Sequence, residues 1–127
     1  MGFTTAITTC FQKYVDFNGR ARRSELWFFV LYSILAAIVA SIADRFVDPP
    51  AAGALFTIGI VYGLVMLVNF LPGLAVEVRR LHDTNRSGWW ILIALVPFLG
   101  AILLLIWFCF KGTQGDNRFG PDPVKAA

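Results

Sequence analysis

Arginine is the residue type through which this sequence could do chemistry. Arg20, Arg22 and Arg23 crowd one polar segment, and Arg79, Arg80 and Arg86 crowd a second. A guanidinium is a planar fork that grips phosphate or carboxylate with two parallel hydrogen bonds, which an ammonium cannot reproduce. Trp27 and Trp89 follow the two clusters, and tryptophan prefers the membrane–water interface. Arg20, Arg22, Arg23, Arg79, Arg80, Arg86, Trp27 and Trp89 are therefore the predicted site, and its ligand an anionic phospholipid headgroup or an acidic partner. Glu25, Glu77 and Asp83 compete for the same arginines. If they win, internal ion pairs pin the polar segments to each other.

His82 and Asp83 are the other polar candidates. A catalytic pair would need a nucleophile such as Ser87 or Ser24 brought in by folding. The plainer reading pairs Asp83 with Arg79 or Arg80, one helical turn back. A metal site needs three or four ligands. His82 is the sole histidine and neither Cys10 nor Cys109 lies near it, so no metal and no cofactor is expected. The cysteines form no CxxC pair, and the tail glycines lack the lysine of a phosphate loop. Asn85-Arg86-Ser87 matches a glycosylation acceptor but abuts an apolar window, and is set aside.

These residues are held by apolar elements. The chain of 127 residues is 57% hydrophobic and 15% charged, against about a quarter charged in soluble domains. All eleven basic and eight acidic residues fall outside three windows, Leu26–Ala43, Ala54–Val76 and Trp89–Phe110. As helices the windows would reach about 27, 35 and 33 Å, and a bilayer core needs about 30 Å. They show no period-2 alternation, so helices are expected over membrane strands. The prediction is an all-α membrane bundle of three transmembrane helices in one domain. It has an N-terminal segment 1–25, spans at 26–43, 54–76 and 89–110, and a polar tail 111–127. Phe3, Ile7, Phe11, Tyr14 and Val15 suit either an interfacial amphipathic helix or an ordinary packing helix.

With three spans the N-terminal segment and the second loop share a face and hold seven basic residues, against four on the other. The positive-inside rule then puts the N-terminus in the cytoplasm and the C-terminus outside, with Cys10 and Cys109 on opposite faces. The same sorting accounts for a pI of 9.2 without nucleic acid. Ser33, Ala37 and Ser41, and Gly59 with Gly63, are small residues four apart that allow close helix packing. Packing within the chain is expected, and a homo-oligomer is the alternative. Asn69, Pro72 and Gly73 interrupt the second window, and Pro97 with Gly100 the third.

Three motifs carry a resemblance: F-x-G-R-A-R-R-S-E-x-W from Phe17, R-R-L-H-D-T-x-R-S-G-W-W from Arg79, and K-G-T-x-G-x-N-R-F-G-P-D-P from Lys111. Separated by apolar spans, they resemble the bacterial inner-membrane family known as domain of unknown function 805, which includes YhaH-type and YhaI-type proteins. The resemblance implies a multi-pass protein of the bacterial plasma membrane and supplies no activity. The leading functional expectation is a non-enzymatic membrane protein with a headgroup-binding arginine face. An oligomeric transport or channel component is the first alternative, and an enzyme acting on a lipid phosphate through His82 and Asp83 the second.

Overall fold

Two long helices clasped at both ends define the structure, a computed structural model that describes residues 2–47 and 59–124. Helix α1 spans Phe3–Gln12, α2 Arg23–Val47, α3 Ile60–Asp83 and α4 Leu99–Cys109, with a short 3-10 helix at Gly88–Leu95 between α3 and α4. At one end of the α2–α3 pair Arg79 meets Glu25 at 2.6 Å. At the other end the Asp44 carboxylate accepts from the Val61 and Tyr62 amides at 2.9 and 3.0 Å. A carboxylate there satisfies donors that a helix start leaves open and complements the helix dipole. About 28 Å of helix separates Glu25 from Asp44, which matches the hydrocarbon thickness of a bilayer. Only 17% and 22% of the most apolar stretches of α2 and α3 are buried, so most of their surface faces outward, unlike core helices of a soluble protein.

Both long helices outrun the windows that predicted them. The first window, 26–43, lies wholly inside α2. The second begins in residues outside those described, and α3 continues past Val76 through Glu77, Arg79 and Arg80 to Asp83. Helix α3 stops in a Schellman turn: the Arg86 amide bonds the Leu81 carbonyl and the Asn85 amide the His82 carbonyl, both at 2.9 Å. Asn85 takes the left-handed conformation there, with φ 61°, as helix-ending Asn does.

The third window is not one continuous helix. A 3-10 helix covers Gly88–Leu95, Pro97 and Phe98 form a turn with Phe98 at φ 62°, and α4 follows. Proline denies the helix a donor and pushes Val96 to extended backbone. The 11 residues of α4 reach about 16 Å, half a bilayer. The two arms fold back on each other, with Trp90 edge-on to Trp107 at 5.6 Å. At the bend a Cβ on Gly100 would strike the Ile93 carbonyl, so the close return needs glycine. Two helices are thus long and apolar enough to cross a membrane, and the third window is a broken hairpin where one continuous helix was expected.

Helix α1 packs against the bundle. Ala6 and Cys10 are fully buried, and the Phe11 ring sits 6.1 Å from Phe29 and 5.7 Å from Tyr32. Tyr14, just beyond it, donates its hydroxyl to the Val68 carbonyl at 2.5 Å. That carbonyl lies four residues before Pro72, which has no N–H to give it. The α1 segment thus supplies the donor that proline withholds from α3.

Candidate functional site

The polar segments converge at the Glu25–Arg79 end. Arg20, at the close of the N-terminal segment, donates its Nε to Asp83 at 3.0 Å. Its terminal nitrogens donate to the carbonyls of Thr113 at 2.6 Å, Gly115 at 2.7 Å and Gly120 at 3.3 Å. Arg80 takes the other Asp83 oxygen and also donates to the Phe108 and Phe110 carbonyls. Arg23 donates to the Cys109 carbonyl at 3.2 Å. Arg80 and Arg23 thus cover the C-terminal end of α4, where carbonyls lack intrahelical partners and the dipole favours cations. Thr113 donates its amide to the Asp83 carbonyl at 2.7 Å. Gly112 lies so close to the Asp83 carboxylate that any Cβ there would collide with it.

One buried carboxylate, Asp83, therefore ties three sequence-distant segments through two guanidiniums. Buried ion pairs hold only where further hydrogen bonds satisfy the remaining groups, and Arg20 and Arg80 reach five tail and α4 carbonyls between them. The tail packs against the N-terminal segment at one end of the α2–α3 pair, where the sequence led one to expect the two apart. Cys10 and Cys109 share that end as well, and both are free thiols. Burial pushes the Cys10 thiol up to about 12, with the nearby Glu25 charge adding to the effect.

His82 and Asp83 diverge. The His82 ring places Nδ1 2.9 Å from the Gly19 carbonyl and stacks on Phe119 at 4.0 Å and 2°. Asn117 donates to the His82 carbonyl at 3.0 Å, and the Arg118 guanidinium covers Phe119 at 4.6 Å. The N-R-F-G turn of the tail is thereby seated on the end of α3. Asp83 pairs with Arg80, as expected, and with Arg20, while Arg79 takes Glu25. Ser87 accepts from the Trp89 amide at 3.4 Å at the start of the 3-10 helix.

The six predicted arginines divide. Arg20, Arg79 and Arg80 are buried and internally paired, so for them the pinning account holds. Arg86 lies over the Trp107 ring at 4.5 Å and the Phe110 ring at 5.9 Å. Trp27 is half-buried against the core, while Trp89 is 79% exposed. Arg22 and Arg23 line a crevice of about 660 Å³ with Ser24, Lys111, Gly112 and Thr113. Asp83 and Asp122 also line it. Asp83 is already matched by two arginines, and Asp122 accepts the Gly115 and Val124 amides. Among the described residues no ion pair engages Arg22, Arg23 or Lys111, and the buried Ser24 Oγ has no hydrogen-bond partner. Lys111, Ser24 and Thr113 were not in the predicted site. The signal for Lys111 and Thr113 was the K-G-T motif, whose glycine is needed against Asp83, and for Ser24 the R-R-S-E motif.

Two lipid-facing helices, a broken apolar hairpin and an arginine-pinned polar cap define a small helical membrane protein. The chain belongs to the family described as Protein of unknown function (DUF805), whose model matches residues 14–121. It is 45% identical to Inner membrane protein YhaH of Escherichia coli K12 over 112 residues, 88% of this chain and 90% of that protein. It is 41% identical to Inner membrane protein YhaI of the same strain over 114 residues, 88% of this chain and 89% of that protein. No solved structure matches it.

Proposed function

We propose that this is a non-enzymatic, two-span inner-membrane protein whose cytoplasmic cap holds the phosphate of an anionic phospholipid. The observation that carries the reading is the crevice of Arg22, Arg23 and Lys111 beside the start of α2: three cations without an ion-pair partner among the described residues. Amides at a helix start lack intrahelical acceptors and add to the attraction for an anion. The sidedness rests on charge. Arg20, Arg22, Arg23, Arg79, Arg80, Arg86, Lys111 and Arg118 gather at one end of the α2–α3 pair, and Arg45 stands at the other. The positive-inside rule assigns the crowded end to the cytoplasm, and with it both the N-terminal segment and the tail. The broken hairpin then enters and leaves on the cytoplasmic side.

Native mass spectrometry from nanodiscs containing phosphatidylglycerol or cardiolipin tests the reading. Arg22→Gln/Arg23→Gln/Lys111→Gln should lower retained anionic lipid by more than tenfold. Equal retention by parent and variant refutes the crevice as the binding site.

A further inference from the structure

A second groove runs between α2 and α3 from just beneath the cap, with a volume of about 410 Å³. That is within the size range of small-molecule sites. Phe29, Ser33 and Ala37 of α2 face Tyr62, Gly73 and Glu77 of α3 across it. Small residues on both sides hold it open, and most of its wall is apolar. Asn69, also in the wall, accepts from the Tyr32 hydroxyl at 3.1 Å.

Glu77 is the exception in this groove. Glu25, Asp44 and Asp83 each bond an arginine or a helix start, but no hydrogen bond or ion pair to Glu77 occurs among the described residues. No basic side chain lines the groove with it. Glu77 lies about 3 Å along the helix on the membrane side of Arg79, just beneath the polar cap. From there the groove follows α3 to Tyr62, about 22 Å deeper. Without a cation a carboxylate in so apolar a setting takes up a proton, and an ammonium partner lets it stay charged.

We infer that this groove is a binding site for a phospholipid bearing a primary ammonium, of the phosphatidylethanolamine kind. The ammonium meets the Glu77 carboxylate at headgroup level, and one acyl chain lies along the groove towards Tyr62. Charge and depth together select this ligand. An anionic headgroup would face an unscreened carboxylate, and a soluble cation would leave the apolar groove unfilled. A trimethylated headgroup would bring the charge without an N–H donor. The site is separate from the Arg22–Arg23–Lys111 crevice and takes the opposite charge.

Nanodiscs of equal phosphatidylethanolamine and phosphatidylglycerol, read by native mass spectrometry, distinguish the two sites. Glu77→Gln keeps the shape and removes the charge, and should lower retained phosphatidylethanolamine more than tenfold while retained phosphatidylglycerol stays constant. Ser33→Leu fills the groove with Glu77 intact and should produce the same selective loss, which carries the test if the first variant folds poorly. Replacing phosphatidylethanolamine by phosphatidylcholine should also reduce retention. Full retention of phosphatidylethanolamine by both variants overturns the inference, as does equal retention of phosphatidylcholine. Loss of phosphatidylglycerol in the crevice variant alone would bear on the other site and leave this one standing.

Discussion

Tyr14→Phe removes one oxygen atom and should cost the fold about 2 kcal/mol. The Tyr14 hydroxyl is 2.5 Å from the Val68 carbonyl, the acceptor that Pro72 leaves without its usual donor. An acceptor deprived of its partner away from water costs about 1–3 kcal/mol, and this outward-facing carbonyl is kept from water by the bilayer. Pro72→Ala restores a backbone N–H at the right place, so the Val68 carbonyl no longer depends on Tyr14. In that background Tyr14→Phe should cost no more than about 0.5 kcal/mol. The double-mutant cycle thus predicts a coupling of about 1.5 kcal/mol, roughly tenfold in the folded-to-unfolded ratio. Reversible unfolding in mixed micelles, followed by far-ultraviolet circular dichroism, measures all four corners. Additive losses within about 0.3 kcal/mol would show that the hydroxyl does not replace the missing amide.

Other perturbations read other parts of the structure. A phosphatase active only outside the cytoplasm should be silent when fused after Ala127 and silent when fused within residues 79–86; activity at Ala127 refutes the common side for tail and second loop. Arg20→Ala strands Asp83 beside one guanidinium and releases the carbonyls of Thr113, Gly115 and Gly120, so the tail should become cleavable by added protease at a rate at least tenfold above the parent. Breaking a buried pair by removing one partner costs about 3–5 kcal/mol, and an unchanged cleavage rate would place the tail elsewhere. Cys109 is exposed and Cys10 buried. With its pKa raised to about 12, Cys10 remains a thiol from pH 7 to 9, and only the thiolate alkylates. Iodoacetamide at pH 8 should therefore modify Cys109 first, and faster labelling of Cys10, read by peptide mass, would contradict its burial.

The spans were legible where hydropathy alone decides. Leu26–Ala43 lies within α2, because an uninterrupted apolar run has no other stable form in lipid. The extension of α3 through Arg79 and Arg80 was hidden, since hydropathy counts those charges as water-facing. In the fold their partners, Glu25 and Asp83, come from a different helix and from the next turn. The path of the third window was hidden for the opposite reason. Its composition suits a span, but Pro97 and Gly100 decide its path, and direction is not a property of composition. Of the predicted site, the Arg80–Asp83 pair could be read because it is local. That Arg20 would be spent on tail carbonyls could not, because nothing in a sequence shows which backbone groups will lack partners.

The bonds made by Arg20 also set a timetable. Its acceptors in the tail lie 93 to 100 positions further along the chain. At roughly 5–20 residues per second of synthesis, Arg20 waits on the order of 5–20 s before those carbonyls exist. For most of that interval α2 is complete while its polar end carries a guanidinium with no tail to receive it. The cap therefore cannot close as the chain emerges. It forms only once Thr113, Gly115 and Gly120 have been made, and a nascent chain that stalls before Thr113 is left with its cationic end open.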